Sequence, residues 1–292
     1  MKLDVSFNKR RLIKDKLFLW FVIVFSVIIA LPLVIIIGTV LIKGIKQINL
    51  DFFIQTTPTT LEAMMANSIG ERVPGGIANG IVGMFLTVIM ASLVAIPVGI
   101  FCGVYISENR NKRFAGIIRF LSDLLQGTPS IVIGIIAYLW IVIPMGTFSA
   151  IAGAVALAIM MLPLIIRSTE ETLNLLPVSL KEAALSLGTS YSAMIFKVWL
   201  PSAFPGIFTG ILLAISRVMG ETAPLMLTIL GSSYIQWDIT KPNTSVSLLI
   251  WEFYNDPNLQ SMIWSASLFL LAAVLILNIT AKTIAKKRSP IF

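Results

Sequence analysis

The sequence has no histidine, a single cysteine and few charged residues. Without histidine, the most common general base and the most common metal ligand in proteins are both missing. The single thiol, Cys102, has no partner for a disulfide within the chain. Neither a G-x-x-x-x-G-K-[ST] nucleotide loop nor a G-x-S-x-G nucleophile motif is present. We therefore expect no covalent catalysis and no bound metal or cofactor in this chain.

The composition predicts an integral membrane protein. Charged residues are 12% of the 292 and hydrophobic residues 57%, whereas a soluble domain is about 25% charged. A helix needs about 20 apolar residues to cross a bilayer core. Six runs qualify, at residues 17–42, 77–106, 121–143, 148–166, 204–230 and 262–280. We expect an all-α protein with six transmembrane helices, the first being too long for a signal peptide.

The lysines and arginines predict the orientation of these helices. Of the 22 in the chain, all but five fall on the same side of the membrane as the two termini. The five are Lys43, Lys46, Arg72 and Lys241 on the opposite side and Arg217 inside a span. By the positive-inside rule both termini are cytoplasmic. The net charge of +8 therefore reflects topology and some attraction to membrane lipid, and we expect no nucleic-acid partner.

The third apolar run is interrupted by QGTPS at residues 126–130. Glycine and proline weaken a helix there, which a membrane tolerates where backbone is buried in protein or lines a cavity. The pattern fits a simple kink or an interrupted span equally well. Three polar side chains in this stretch are candidates for lining a path through the membrane: Gln126, Thr128 and Ser130.

The fifth run contains two charges, Arg217 and Glu221, inside the sequence SRVMGETAPLML. An arginine at the centre of a membrane helix costs about 2.5–3.5 kcal/mol on insertion scales, so it is a functional candidate by default. In a continuous helix the spacing i, i+4 puts both charges on one face. Small or polar residues are expected beside them as the lining of a path: Gly210, Ala214, Gly220, Pro224 and Thr228.

The chemistry of this pair favours an oxyanion as the transported species. A guanidinium presents a planar fork of donors that matches phosphate or carboxylate. Glu221 would keep the site from being permanently positive, and a carboxylate can accept a hydrogen bond from an oxyanion that is still protonated at neutral pH, as phosphate is and sulfate is not. The alternative is a structural ion pair, although buried pairs are weak evidence of a stabilising role.

The segment between the fourth and fifth runs contains PVSLKEAALSLGTS. Ser179 and Glu182 have the spacing of a capping box, and Gly188 stands where a helix of about two turns would end. Ala183, Ala184 and Leu187 would give this helix a small apolar face. So short a helix needs a surface to rest on, which is either its own bundle or a groove in another protein.

EAALSLGTSYSAMIFKVWLP resembles the EAA motif of permease subunits of bacterial ABC importers. The matching positions are Glu182, Ala183, Ala184, Gly188, Val198, Leu200 and Pro201, with valine replacing isoleucine at 198. The resemblance implies the type I ABC importer permease fold. It also implies that Glu182–Gly188, Leu187 included, couples to a separate ATPase, which would bind ATP and Mg²⁺ in place of this chain.

Three further stretches resemble the phosphate importer permeases of the PstA type: SRVMGETAPLML, GTPSIVIG and LLAAVLILNITAKTIAKK. The resemblance implies inorganic phosphate as substrate and a place in the bacterial cytoplasmic membrane. It implies three partners, namely a PstC-type permease, a PstB-type ATPase and a PstS-type phosphate-binding protein. Residues 1–73 would form the tail, first span and external loop. Residues 74–284 would form the transmembrane domain, with a coupling segment at 170–201, and residues 285–292 a basic tail.

Three alternatives stay open at this point. The first is a permease of the same ABC importer type that carries another oxyanion, such as sulfate or molybdate. The second is an anion channel or secondary transporter that works without an ATPase. The third is a signalling scaffold, since the phosphate family is also linked to phosphate sensing.

Overall fold

A computed structural model of the protein describes the backbone of residues 5–288 and the side chains of residues 11–284. Over this range the chain is a succession of helices joined by turns and loops. The helices are α1 Val5–Gly44, α2 Leu50–Ile54, α3 Thr60–Ser68, α4 Ala78–Glu108, α5 Arg113–Gly127, α6 Ser130–Ala137, α7 Ile143–Met145, α8 Ala150–Leu175, α9 Val178–Ser186, α10 Tyr191–Met194, α11 Leu200–Met219, α12 Ala223–Met226, α13 Val246–Asn255 and α14 Gln260–Arg288. The side chains of the basic tail predicted at 285–292 lie outside the described residues.

Four short helical turns complete the secondary structure of the described part. Two are π-helical, Tyr138–Val142 and Ile195–Trp199, and each continues directly into the next α-helix. Two are 3-10 turns, Ile45–Gln47 and Pro257–Leu259. The expectation of an all-α protein is confirmed.

In the part of the chain that the structure describes, five helical stretches are long and apolar enough to cross a membrane: Arg11–Gln47, Ala78–Glu108, Ala150–Leu175, Tyr191–Met219 and Pro257–Ile284. The third predicted span is different in kind. Arg113–Gly127 and Ser130–Met145 meet at an angle of 106°, so the QGTPS stretch is a sharp break and not a gentle kink. The predicted count of six spans is reached only when this bent pair is counted as one.

Helix α8 lies at the centre of the bundle, with α4 and α11 packed along it. Small residues let these helices approach closely, as they commonly do in membranes. A Cβ atom added to Gly103 of α4 would lie 2.5 Å from the Cβ atom of Thr169, and one added to Gly210 of α11 would lie 2.2 Å from that of Ser168. Neither glycine can be enlarged unless the helices separate.

Helix α1 stands apart from this core. Its most apolar window is 0% buried, against 67% for the window of α8. Contact with the rest of the chain is made at its end, where the Ser265 hydroxyl of α14 donates to the Gly44 carbonyl at 2.6 Å. The Lys43 ammonium lies 4.7 Å from the centre of the Trp264 ring beside it. Most of α1 is therefore free to contact lipid or another protein.

The two segments that separate the first predicted span from the second and the fifth from the sixth contain helices. The first, residues 44–76, contains α2 and α3, and the second, residues 231–260, contains α13. They are joined by side-chain hydrogen bonds from Thr60 to the Asp256 carboxylate, at 2.7 Å, and from Asn67 to the Asn258 carbonyl, at 2.9 Å. Phe52 of α2 is completely buried. These segments therefore form a packed cap on the bundle.

Candidate functional site

Arg217 lies in the last turn of α11, and its guanidinium is open to the outside of the chain. The side chain is 46% exposed. The helix ends immediately after it, because the Gly220 N–H bonds back to the Arg217 carbonyl at 3.2 Å and the Glu221 N–H to the Val218 carbonyl at 3.2 Å. An arginine is thus placed at a helix end that is not covered by its own chain.

Glu221 does not lie on the same helix as Arg217, which corrects the expectation of a continuous span over 204–230. Helix α11 ends at Met219, and α12 starts at Ala223 with Pro224 in its first turn. Proline at 224 removes a donor to the Gly220 carbonyl and clashes with it. The helix is therefore interrupted at Gly220–Thr222 and does not continue with a kink.

The break still brings the two charges near each other. The Arg217 Nε atom lies 3.9 Å from Glu221 Oε1, which is an ion pair but too long for a hydrogen bond. Within the described residues no hydrogen bond to the Arg217 guanidinium accompanies this contact. The fork of donors is therefore available to a ligand.

Helix α13 fixes the position of Glu221. The Ser247 hydroxyl, in the first turn of α13, donates to the Glu221 backbone carbonyl at 2.7 Å. Ser245 caps the same helix by accepting from the Leu248 N–H at 3.2 Å. The Glu221 side chain itself is 18% exposed, so a fixed backbone presents a partly enclosed carboxylate next to an open guanidinium.

The small residues expected to line a path beside this pair mainly pack the bundle. Gly210 faces Ser168 of α8, and Ala214 is 1% exposed. Thr228 is completely buried, and its hydroxyl donates to the Pro224 carbonyl at 2.8 Å. The stripe that looked like a lining is, for these three residues, the contact between α11, α12 and the rest of the chain.

The two interruptions of the bundle lie side by side. A Cβ atom added to Gly134 of α6 would lie 2.7 Å from the Pro224 Cα atom, so the helix after the QGTPS break packs against α12, the helix after the break that ends α11. Gln126 is exposed, Ser130 is partly exposed, and the Thr128 hydroxyl donates to the Leu124 carbonyl at 2.7 Å. Discontinuous helices of this kind are where membrane transporters place their substrate sites.

The second candidate region is α9, which contains the EAA stretch. The helix begins at Val178 after Pro177 and has no side-chain cap, so the predicted capping box between Ser179 and Glu182 is wrong. Its predicted end is confirmed, since Gly188 has φ +79°, a conformation that favours glycine. The nine-residue helix is thus placed as the sequence predicted but starts two residues earlier.

The apolar face predicted for α9 is divided between two surfaces. Ala184 is 7% exposed and packs with Leu173, Met194 and Trp199 of the chain's own bundle. Leu187, in contrast, is 85% exposed, and Glu182 and Ala183 are also exposed. One side of α9 therefore rests on the bundle while the other is open to a partner.

Charged side chains on the predicted cytoplasmic side form a cluster that the sequence did not reveal. Glu170 of α8 accepts from the Arg119 guanidinium at 2.7 Å and pairs with Arg167 at 3.4 Å. Arg167 also pairs with Asp123. The spacing of Arg119 and Asp123 suggests a pair within α5, but both residues reach across to α8. Only the three-dimensional packing of α5 against α8 brings these groups together.

Comparison with known proteins gives the class of this fold. A chain in the crystal structure of a bacterial alginate ABC transporter aligns with TM-score 0.63 at 13% identity, covering 97% of each chain. An inward-facing structure of the MetNI methionine ABC transporter aligns with TM-score 0.59 at 18% identity, covering 71% of this chain and 95% of that one. The fold is that of the type I ABC importer permeases.

Sequence comparison is more specific. Residues 95–290 match the family described as binding-protein-dependent transport system inner membrane component. The phosphate transport system permease protein PstA of Yersinia pestis is 39% identical over 84% of this chain and 81% of its own length. That of Haemophilus influenzae is 36% identical over 82% and 83%. The chain belongs to this family of inner membrane transport components and, within it, to the PstA permeases.

Proposed function

We propose that this chain is a membrane-spanning subunit of an ATP-driven importer of inorganic phosphate. The observation that carries the proposal is the 39% identity to a phosphate transport permease over 249 residues. The chain would form half of the translocation path and catalyse no covalent step. ATP and Mg²⁺ would be bound by a separate ATPase.

The partners follow from this role. A PstC-type permease would supply the other half of the path, a PstB-type ATPase would bind below, and a PstS-type protein would deliver phosphate from outside. Arg217 supports the first of these. A guanidinium that is 46% exposed on its own chain would face lipid in a monomer at high cost, whereas a second permease would cover it.

Arg217 is proposed to bind the anion. Its donors are not used by its own chain in any described hydrogen bond, and a planar fork binds two oxygens of a phosphate at once. The exposed Gln126 at the neighbouring break, together with Thr128 and Ser130, would add polar contacts along the same path. Thr228, enclosed among its own neighbours, would support the break and not touch the substrate.

Glu221 is proposed to make that binding reversible. Its carboxylate lies 3.9 Å from the arginine, close enough to offset the charge but without occupying the donors. A carboxylate at this distance can also accept a hydrogen bond from a protonated phosphate, whereas sulfate carries no proton at neutral pH. Selectivity for phosphate would then come from Glu221, and affinity from Arg217.

Coupling to ATP hydrolysis is assigned to the open side of α9. Glu182, Ala183 and Leu187 would enter a groove of the ATPase, in the manner of a helix in a groove. Ala184 would keep α9 attached to the permease, and Gly188 would allow the chain to turn back. Movement of the ATPase would then tilt the helices and expose Arg217 to alternate sides of the membrane.

Uptake of labelled phosphate by cells that depend on this chain tests the proposal. Arg217→Gln should reduce uptake by about tenfold to a hundredfold, the loss expected for a charge-assisted contact. The matched control is Arg113→Gln, an exposed arginine at the start of α5, which should leave uptake unchanged. Normal uptake by Arg217→Gln would make the pair structural.

Two further measurements address the alternatives. An excess of sulfate or molybdate should not compete with labelled phosphate, and competition by either would change the assigned substrate. An ATPase subunit should co-purify with the chain. Transport by a preparation that contains no ATPase would contradict the importer and favour a channel or secondary transporter.

A further inference from the structure

The end of α4 is joined to the segment around α9 by one carboxylate, that of Glu108. Glu108 is the last residue of α4, and its side chain is only 7% exposed. It accepts a hydrogen bond from the Lys181 ammonium of α9 and another from the Tyr191 hydroxyl at the start of α10. A single acid thus holds three helices at one point.

Lys181 is held there by more than its charge. Its ammonium lies 5.4 Å from the centre of the Tyr191 ring and 6.0 Å from that of Trp199. A cation over aromatic faces is attracted by their quadrupoles. The lysine, the tyrosine and the acid therefore form a compact cluster, which we name the Glu108 cluster after its central residue.

Helix α9 is joined directly to α8 by two residues, Leu176 and Pro177, and Ala184 packs in one cluster with Leu173 of α8. The backbone of α9 packs mainly on α10 and on the π-helical turn Ile195–Trp199. Helix α4, in contrast, packs along α8 for most of its length, and next to Glu108 the Ser107 hydroxyl donates to Asn174 of α8 at 2.8 Å. Beside the direct connection of α9 to α8, Glu108 therefore links α9 to the end of α4.

We propose that Glu108, Lys181 and Tyr191 are positioning residues that make α4 follow α9 when the ATPase moves it. The inference rests on the proposed function, in which α9 contacts an ATPase. Separating a buried carboxylate from its cation leaves an uncompensated charge at high cost. A displacement of α9 is therefore expected to carry the end of α4 with it, in place of being absorbed at the contact between α9 and α4.

The test is the amount of phosphate imported for each ATP hydrolysed, measured on the assembled complex in proteoliposomes. Lys181→Met should lower this ratio roughly tenfold, a coupling of ordinary size for residues in direct contact. Tyr191→Phe removes one hydroxyl and should lower it about twofold to threefold. The control is Lys197→Met, since Lys197 is exposed and pairs with no acid among the described residues.

A charge exchange, Glu108→Lys with Lys181→Glu, should restore much of the lost ratio. A purely structural role would reduce the yield of complex but leave the ratio of surviving complexes unchanged. Unchanged ratios in both Lys181→Met and Tyr191→Phe would therefore overturn the inference.

A distance measurement separates this inference from the proposed function. Spin labels on Ser186 of α9 and Phe101 of α4, on a Cys102→Ser background, report whether the two helices move together when ATP is added. In the otherwise wild-type complex the distance between the two labels should stay constant when ATP is added. In Lys181→Met the distribution of that distance should broaden. Broadening supports the inference whichever anion is carried, and an unchanged distribution contradicts it. A wild-type complex that imports no phosphate contradicts only the proposed function.

Discussion

Two groups of arginine and glutamate in this chain differ in the distance between their charges and in the exposed fraction of their side chains. Arg119 and Glu170 meet at 2.7 Å, Arg167 adds a second contact at 3.4 Å, and the Glu170 side chain is 6% exposed. Arg217 and Glu221 are 3.9 Å apart, and the arginine is 46% exposed. The same two residue types form a satisfied cluster in one place and leave donors unused in the other.

Position in the fold explains the difference. The first group joins two helices that pack against each other, so each charge finds partners on the opposite helix. The second lies where α11 ends, and its own chain supplies only a loose counter-charge. We infer that the first group stabilises the permease and the second is arranged for a ligand. The predictions below test this through the free energy of unfolding of the chain in detergent.

The largest effect is expected from Glu170→Gln. The substitution leaves Arg119 and Arg167 without their shared carboxylate. The predicted loss is about 2–4 kcal/mol, below the value for a fully buried pair because both arginines keep some access to solvent. Denaturant unfolding measures it. The control is Glu171→Gln, at the exposed neighbouring residue. Equal effects of the two substitutions would show that the ion pairs of Glu170 with Arg119 and Arg167, here called the Glu170 cluster, do not stabilise the protein.

The second largest effect is expected from Gly210→Val, which should lower the free energy of unfolding by about 1–3 kcal/mol because of overpacking. The added Cβ atom would lie 2.2 Å from the Cβ atom of Ser168, so α11 must move away from α8. Gly220→Ala is the matched control, because the nearest atom to its added Cβ is the Arg217 carbonyl oxygen at 3.7 Å. A stable Gly210→Val protein would mean that this face of α11 is not tightly packed. Gly210 would then again be a candidate for lining the translocation path.

Double-mutant cycles compare the two groups directly. For Arg119 and Glu170 the coupling in unfolding free energy should be about 1–3 kcal/mol. For Arg217 and Glu221 it should be no more than about 0.5 kcal/mol, as for exposed pairs. A coupling for Arg217 and Glu221 as large as that of the first pair would identify it as a structural salt bridge.

Much of the fold could be predicted from hydropathy and charge. The apolar runs located the long helices, because a membrane span imposes length and composition on the sequence, but both ends agree closely only for α4, predicted at 77–106 and observed at Ala78–Glu108. What hydropathy cannot give is burial. The windows of α1 and α8 are both strongly apolar, yet one is 0% and the other 67% buried, since lipid and protein interior favour the same residue types.

The errors in the site have a common cause. Periodicity assumes an unbroken helix, and on that assumption Arg217 and Glu221 shared one face with Gly210 and Thr228. Gly220 and Pro224 end that helix, and both residues are visible in the sequence as signals that weaken a helix. The Glu170 and Glu108 clusters could not be predicted at all, because their members come from helices far apart in the chain and meet only through tertiary packing.

The smallest predicted effect concerns Glu252, a carboxylate that has neither the close ion pairs of Glu170 nor the longer one of Glu221. Glu252 of α13 is partly buried, and burial raises its pKa above the usual 4.5; among the described residues it has no cation partner. Because the folded-state pKa is the higher one, the folded protein is most stable below the unfolded pKa. It loses stability as the pH rises through the folded value. Glu252→Gln should flatten the fall in stability that begins near the usual pKa of 4.5 and continues to higher pH. Unfolding midpoints across the series measure it, with Glu71→Gln on the exposed surface as control. A slope unaffected by Glu252→Gln would mean that another group titrates.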